Sequence, residues 1–203
     1  MREVLRYLRL SGASFMATVS ICVSLRPGDV LTHNGLSFYG NFHQTLLPYS
    51  LGLCLTATLL FRASQLLAAT SQLRPVGQLL AVMSVALFGV VLTPSFSRSR
   101  SVQLLHLLFA TVVFAAQAGV SRRLLRLRTS RLDRGLVVIK LEAVGLALIS
   151  LGELSELALM LPAQTVAIGA FGIFLLRAMR DFGGPTEALP VAIVADAMPP
   201  EKL

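Results

Sequence analysis

Charged residues are scarce in this chain of 203 residues, in which Asp, Glu, Lys and Arg together make up only 14%. Soluble domains carry roughly 25% of such residues and about 45–50% of apolar ones. Here 55% of the residues are hydrophobic and the mean hydropathy is +0.74. One core of this size cannot hide so much apolar surface, whereas a bilayer can cover it. The composition therefore excludes a water-soluble globular protein and indicates an integral membrane protein.

Cysteine is also rare. Cys22 and Cys54 both lie inside apolar runs, where a thiol behaves as a small hydrophobic group, so we expect no structural disulfide. Arginines precede the first apolar run, as in a signal peptide, but no small-residue cleavage site follows Leu25. That run is therefore predicted to be an uncleaved membrane span.

The sequence lacks the motifs that would identify an enzyme, a metal site or a nucleic-acid-binding protein. It has no G-x-S-x-G motif and no Gly-rich phosphate loop. Its three histidines do not have the H-x-x-x-H or H-E-x-x-H spacing of a zinc site. The net charge is +8, but the arginines flank apolar runs instead of alternating with aromatic residues. We therefore expect no metal, no cofactor and no nucleic-acid partner, and an enzyme is disfavoured.

Uncharged runs long enough to cross a bilayer, roughly 17 residues or more, recur along the chain. Snorkelling of Arg9 extends the shortest of them. One further segment is interrupted by Lys140, Glu142 and Glu153 but is too apolar between them to be a loop. The predicted fold class is all-α, a polytopic membrane protein with six transmembrane helices in one bundle over residues 1–180 and a mobile cytoplasmic tail over 181–203. The predicted spans are 8–25, 44–61, 75–95, 102–120, 136–157 and 160–177.

Positive charge is distributed unevenly among the predicted connections. With the N-terminus inside, three arginines lie outside, namely Arg26, Arg98 and Arg100. Fourteen basic residues fall on the cytoplasmic side: Arg2, Arg6, Arg9, Arg62, Arg74, the six arginines of 121–135, Arg177, Arg180 and Lys202. Because such an excess marks cytoplasmic connections, both termini are predicted to be cytoplasmic. The preference for Arg over Lys is typical of a GC-rich bacterium, so the predicted location is a bacterial inner membrane.

The segment 121–135, SRRLLRLRTSRLDRG, concentrates arginine next to leucine. It is interpreted either as a short amphipathic stretch lying on the inner headgroups or as a loop that only sets the topology. In the first case membrane lipids are the partners. The predicted headgroup ligands are Arg122, Arg123, Arg126, Arg128, Arg131 and Arg134.

Ionisable groups at membrane depth are expensive and usually face the interior of a bundle. On a helix of 3.6 residues per turn, Glu142, Glu153 and Glu156 share one face of the predicted fifth span. Lys140 lies on the opposite face, from which it is expected to snorkel to the inner surface.

The predicted fourth span repeats this spacing, with His106 and Gln117 eleven residues apart and Gln103 near the same face. Because consecutive spans are antiparallel, His106 is predicted to contact one of the two glutamates at 153 and 156 near the outer leaflet. Gln117 is predicted to lie opposite Glu142 near the inner leaflet. The pairs are interpreted either as hydrogen bonds that hold two helices together or as a buried polar path or headgroup site.

The outer end of the predicted bundle gathers further polar residues. The connection 26–45 contains Pro-Gly and Asn-Gly turn signals, which predict a compact hairpin-like cap. Arg98 and Arg100 suit a phosphate or carboxylate because a guanidinium donates in a fork, although they can equally meet outer-leaflet headgroups. The loop candidates are Asp29, His33, Asn34, Tyr39 and His43.

Three segments resemble the DRAM/Frag-type six-helix membrane proteins and their uncharacterised bacterial relatives. They are GLSFYGNFHQTLLPYSLGLCL at 35–55, HLLFATVVFAAQ at 106–117 and GELSEL at 152–157. The resemblance implies a lipid-associated or envelope-associated membrane protein without an established chemical activity. The residues of this chain that correspond to the family's marked positions, as the resemblance implies, are His106, Glu156 and Asn41. The chain departs from the pattern in having no Trp and in having Glu153 as well as Glu156.

Three classes of function compete. The sequence favours a non-enzymatic protein associated with lipid handling or envelope organisation, because an arginine-rich inner surface and a polar outer cap suit headgroups. The first alternative is an accessory subunit of a larger complex, with other integral membrane proteins as partners. The second is a transporter or a membrane-embedded hydrolase that pairs His33, His43 or His106 with a carboxylate.

Overall fold

The computed structural model describes residues 1–31, 35–94, 99–127, 130–150 and 159–182, and every regular element within these ranges is helical. The all-α fold class is confirmed. Two short 3-10 helices, Pro27–Asp29 and Leu36–Asn41, lie between the first two α-helices. The α-helices are α1 (Arg2–Leu25), α2 (His43–Ala68), α3 (Arg74–Leu92), α4 (Arg100–Leu127), α5 (Arg131–Ser150) and α6 (Met160–Phe182).

Five of the described helices, α1 to α4 and α6, are long and apolar enough to cross a membrane. α5 is not among them because its 20 residues include five charged ones, at positions 131, 133, 134, 140 and 142. Large apolar side chains face outward along the bundle; Leu47, Leu51, Leu92 and Leu104 are all more than half exposed. The helices are therefore consistent with a multi-pass membrane protein.

Several helices extend beyond the uncharged runs of the sequence. α2 continues past Arg62 to Ala68, and α4 continues through its arginines to Leu127. The prediction of a separate amphipathic stretch or loop at 121–135 is wrong, because 121–127 are the last turns of α4 and 131–135 begin α5. Ser130 caps α5 by accepting a hydrogen bond from the backbone N–H of Asp133 at 3.0 Å.

Neighbouring helices are antiparallel, since residues 11 and 14 of α1 meet residues 56 and 52 of α2, and residues 77 and 84 of α3 meet residues 64 and 57 of α2. Ser11 Oγ of α1 donates to the carbonyl of Thr56 in α2 at 3.2 Å. Ser84 Oγ of α3 donates to the carbonyl of Ala57 in α2 at 2.7 Å. Hydroxyl-to-backbone bonds of this kind are common between membrane helices, where small side chains let the backbones approach.

The order of packing differs from the order along the chain at one place. α1, α2, α3 and α4 pack each against the next, whereas α5 packs mainly against α6, and α6 returns to α1. α4 meets α5 over only a short stretch. A gap between these two helices is therefore a feature of the bundle.

This antiparallel order brings most arginines to one end of the bundle, which we call the arginine end. The starts of α1, α3 and α5 lie there with the ends of α2, α4 and α6. Of the described arginines, only Arg26 and Arg100 lie at the opposite, cap end. The twelve at the arginine end are Arg2, Arg6, Arg9, Arg62, Arg74, Arg122, Arg123, Arg126, Arg131, Arg134, Arg177 and Arg180.

The connection between α1 and α2 covers the cap end. The predicted hairpin-like cap is wrong for the part of this connection that the structure describes, which forms the two 3-10 helices instead. Pro27 starts the first, where its fixed φ and missing N–H are tolerated. Leu36 and Tyr39 of the second are buried against Phe15 and Tyr49. The cap is thus anchored by apolar packing.

Candidate functional site

At the cap end, the predicted loop residue Asp29 pairs with Arg26. The Arg26 Nε lies 2.5 Å from Asp29 Oδ2, and the guanidinium carbon lies 3.3 Å from the centroid of the Phe42 ring. This cation–π contact joins the first 3-10 helix to the start of α2. Sequence reasoning treated Arg26 only as a topological charge and missed its role in fixing the cap.

Tyr39, another predicted loop residue, is fully buried and its hydroxyl donates to the carbonyl of Arg26 at 3.4 Å. Burial raises the pKa of the Tyr39 phenol, as do the nearby acidic groups of Asp29 and Cys22, against a smaller opposing effect of Arg26. The phenol is therefore held neutral. It serves as a packing and hydrogen-bonding group of the cap.

The other described residues of the predicted outer cluster are dispersed. Asn41 Nδ2 donates to the carbonyls of Ser37 and Phe38 at 3.2 and 3.0 Å and so ends the second 3-10 helix. His43 and Arg100 are exposed at the starts of α2 and α4. The remaining candidates, His33, Asn34, Arg98, Glu153 and Glu156, lie outside the described residues.

His106 connects α4 to the end of α3. Its Nδ1 lies 2.6 Å from the carbonyl oxygen of Thr93, the residue that ends α3. A carbonyl can only accept, so Nδ1 carries the proton of this bond. The ring is half-buried. The predicted contact of His106 with Glu153 or Glu156 involves residues that the structure does not describe, and it stays a prediction.

The polar side chains of the predicted fourth and fifth spans are placed differently from expectation. Gln103 and Glu142 are exposed, whereas Gln117 is only 2% exposed. Gln117 Oε1 has no hydrogen-bond partner among the described residues. Gln117 and Glu142 therefore do not pair, because α4 packs on α3 and α5 on α6.

Lys140 does not reach the inner surface, so the prediction that it snorkels is wrong. It lies on the face of α5 opposite the exposed Glu142, as the helical spacing predicts, but its side chain is only 4% exposed. Its Nζ lies 4.9 Å from the centroid of the Phe171 ring on α6. No carboxylate is found paired with this ammonium in the part of the chain that the structure describes.

Lys140 borders a cavity of about 520 Å³ in the gap between α4 and α5. The cavity is amphipathic. Arg122 and Arg126 lie on its α4 side with the hydroxyl of Ser121. Its apolar lining comes from both helices and consists of Phe114, Ala118, Leu125, Val137, Leu141 and Val144. We call this space the α4–α5 cavity. Its three cations suit an anionic group, and its apolar walls suit a hydrocarbon chain.

The same arginines also face a second cavity. Arg122, Arg123 and Arg126 line a space of about 490 Å³ on the α3 side of α4, together with Gln78 and apolar residues of α3. The arginines of α4 therefore have apolar surface on both flanks. The remaining described members of the predicted headgroup set, Arg131 and Arg134, are exposed, and position 128 is not described.

An ion pair fixes α5 to α6 at the arginine end. Asp133, which is 4% exposed, has its Oδ1 3.5 Å from the Nε of Arg177. The sequence analysis did not identify this pair. Asp133 lies seven residues before Lys140, a spacing that places the two side chains on the same face of α5 and that is visible in the sequence. The pair links the start of α5 to the last turns of α6.

No group of three or more His, Cys, Asp or Glu side chains that could hold a metal ion is found among the described residues. Comparison of the chain with protein-family models, with curated proteins and with solved structures found no match.

Proposed function

We propose that the protein is a six-span protein of a bacterial inner membrane that binds anionic lipid headgroups at its arginine end, which faces the cytoplasm. Its role is then non-enzymatic lipid handling or envelope organisation. The observation that carries the proposal is the α4–α5 cavity, in which Arg122, Arg126 and Lys140 share one space with apolar walls.

The course of the chain supports α5 as the sixth span. α4 and α6 both run toward the arginine end, so the chain between them has to return to the cap end. α5 lies antiparallel to α6 and is about 30 Å long at 1.5 Å per residue, which matches the hydrocarbon thickness. Of the two charges near the middle of α5, Lys140 faces Phe171 inside the bundle, as expected for an ionisable group at membrane depth, whereas Glu142 is exposed.

The position of the cations supports an anionic lipid as the ligand. Lys140 lies nine residues into α5, about 14 Å along the helix from Arg131. A buried ammonium without a carboxylate is costly unless an anion accompanies it. A lipid phosphate at Arg122 and Arg126 supplies that anion, and its acyl chain covers the apolar walls of the cavity.

The resemblance to DRAM/Frag-type membrane proteins agrees with this role. Membership of that family is a further proposal that rests on the three sequence segments alone.

The proposal is tested by measuring which lipids stay with the protein when it is purified in mild detergent. Phosphatidylglycerol is the anionic probe and phosphatidylethanolamine the zwitterionic one, quantified by mass spectrometry. Each basic residue near an anionic surface contributes about 1 kcal/mol, or roughly fivefold in affinity. We expect the double variant R122Q/R126Q to retain phosphatidylglycerol about 30-fold less tightly.

The matched control is R131Q/R134Q, which removes two exposed arginines at the same end without touching the cavity. Equal loss in both double variants would mean a diffuse surface attraction and would contradict a built site. A stoichiometric partner protein in place of lipid would favour the accessory-subunit alternative. Turnover of a lipid ester that is lost in H106A would favour the hydrolase.

A further inference from the structure

A second site lies inside the bundle, apart from the α4–α5 cavity. A cavity of about 310 Å³ is enclosed by α1, α2, α3, α4 and α6. This volume is at the lower end of the range of small-molecule pockets. The cavity is lined almost entirely by apolar side chains, among them Phe15, Leu60, Met83, Val113, Phe171 and Leu175. We call it the interior cavity.

Gln117 is the largest polar side chain in this lining. It is 2% exposed, borders the cavity, and its Oε1 has no hydrogen-bond partner among the described residues. The two hydroxyls that border the cavity already donate to backbone carbonyls, Ser11 to Thr56 at 3.2 Å and Thr56 to Gly52 at 2.8 Å. An unpaired buried acceptor costs about 1–3 kcal/mol. The amide oxygen of Gln117 is therefore free to accept a hydrogen bond from a ligand in the cavity.

Three glycines border the cavity where α1 and α6 meet, and of these Gly12 is exposed and Gly169 and Gly172 are half-buried. Gly12 of α1 and Gly169 and Gly172 of α6 border it, and a Cβ at any of the three would meet nothing within 4 Å. These glycines do not bring two backbones together; they leave room. The neighbouring lining residues Met16 and Ile173 are 45% and 54% exposed on the outer surface, which is the lipid-facing side of a membrane protein.

The depth of the opening identifies the source of the ligand. Gln117 lies five residues before Arg122 on α4, and Gly12 lies three residues after Arg9 on α1, which is about 8 Å and about 5 Å along the two helices. The opening therefore lies in the half of the roughly 30 Å hydrocarbon layer that is next to the arginine end. A ligand that enters here comes from the bilayer, and no charged side chain lines the cavity to neutralise an ion.

We propose that the interior cavity binds a neutral lipid that carries one hydroxyl on a long apolar chain, such as a long-chain or isoprenoid alcohol, with the hydroxyl donating to Gln117 Oε1. Gly12, Gly169 and Gly172 form the entrance. The site is independent of the anionic-lipid site, with which it shares no lining residue.

The test uses oleyl alcohol with a photoreactive diazirine in its chain, added to the full-length protein in mild detergent. Crosslinked peptides are located by mass spectrometry, and unlabelled oleyl alcohol competes with the probe. Its methyl ether has the same chain but no hydroxyl donor. We expect crosslinks on the cavity-facing residues of α1 and α6, and competition by the ether about fivefold weaker, the change that corresponds to one neutral hydrogen bond.

Two variants test the assigned residues. G172L adds a side chain at the border of the cavity, where its Cβ meets nothing within 4 Å, and should abolish the crosslinks, whereas the control G145L adds the same group on α5, where a Cβ also meets nothing within 4 Å. Q117M removes the unpaired amide and should remove the preference for the alcohol over the ether. Because it deletes an unsatisfied polar group, Q117M should leave the melting temperature unchanged or raise it.

Crosslinks spread evenly over the lipid-facing surface, or equal competition by alcohol and ether in the wild type, would overturn the proposal. A lower melting temperature for Q117M together with an unchanged crosslink pattern would mean that Gln117 is a structural group or binds only water. If G172L does not fold, the Q117M variant and the competition by the methyl ether still test the proposal. Retention of phosphatidylglycerol should not change in G172L or Q117M, so failure of this site is distinguishable from failure of the anionic one.

Discussion

Gly77 provides a sharp test of the packing of α2 against α3, and we expect Gly77→Ala to destabilise the bundle. A Cβ at this position would lie 2.7 Å from the Ser64 carbonyl oxygen and from the Ala68 backbone nitrogen, and 3.2 Å from the Ala68 Cα. All three atoms belong to the backbone of α2, so no side-chain rotation relieves the contact. The helices must separate instead.

The magnitude follows from these distances. Non-bonded carbon atoms pack best at about 3.5–4.0 Å, so the two backbones must move apart by roughly 1 Å. Overpacking of this kind costs about 1–3 kcal/mol. Alanine favours a helix over glycine by up to about 1 kcal/mol, but that gain is small here because the helices of a membrane protein largely persist in the unfolded state within the membrane. The net destabilisation should therefore stay near 1–3 kcal/mol.

Thermal unfolding in mild detergent measures this effect, with a thiol-reactive dye that reports exposure of the fully buried Cys22. At about 2–4 °C per kcal/mol for a chain of this size, G77A should melt roughly 2–12 °C below the wild type. The control G145A adds the same methyl where nothing lies within 4 Å. If G77A and G145A have the same melting temperature, the close approach of α2 and α3 is refuted.

Three further predictions concern polar groups. H106A should cost about 1 kcal/mol, the value of an interhelical hydrogen bond, whereas H43A at an exposed position should change the melting temperature little; equal shifts would contradict the role of the bond to α3. Because the folded-state pKa of Tyr39 is raised, the stability it contributes is complete below pH of about 10 and is lost as pH rises through the folded pKa. The absorbance of tyrosinate measures the titration of Tyr39, and the Y39F variant should lose less stability at alkaline pH than the wild type. A phenol that titrates at its ordinary value would disprove the burial argument. R177Q should lower the melting temperature because it leaves the buried Asp133 without its cation. The free energy of unfolding should fall by about 1 kcal/mol, since Arg177 is 43% exposed. The double variant R177Q/D133N should recover part of the loss, and no recovery would mean that the pair is not coupled.

The sequence predicts the all-α fold class and the approximate positions of the five long apolar helices, but not the ends of the helices. Uncharged runs report where hydrocarbon surrounds the chain, whereas helix ends are decided by backbone hydrogen bonds and caps. α2 thus continues six residues past Arg62, and the arginines of 121–127 remain helical. The N-terminal cap of α5 could be predicted from the sequence, because Ser130 precedes Asp133 by three residues. At this spacing a capping side chain accepts a hydrogen bond from a backbone N–H.

The candidate sites were less predictable because they depend on which helices become neighbours. The helical spacing correctly placed Lys140 and Glu142 on opposite faces of α5. It could not show that α5 packs on α6 instead of α4, so it paired Gln117 with Glu142 and did not predict the α4–α5 cavity or the interior cavity. The glycines at 12, 169 and 172 carry no signal of their own in one sequence, because a glycine that leaves space is indistinguishable from one that allows close packing.

The direction in which the bundle crosses the membrane determines where both proposed lipid sites lie, and reporter fusions measure it most directly. A reporter fused after Arg134 and another after Arg180 should both report the cytoplasm, and one fused between α5 and α6 should report the periplasm. A periplasmic signal after Arg180, with a cytoplasmic signal between α5 and α6, would show that α5 does not span. That result would contradict a six-span bundle with its arginine end in the cytoplasm.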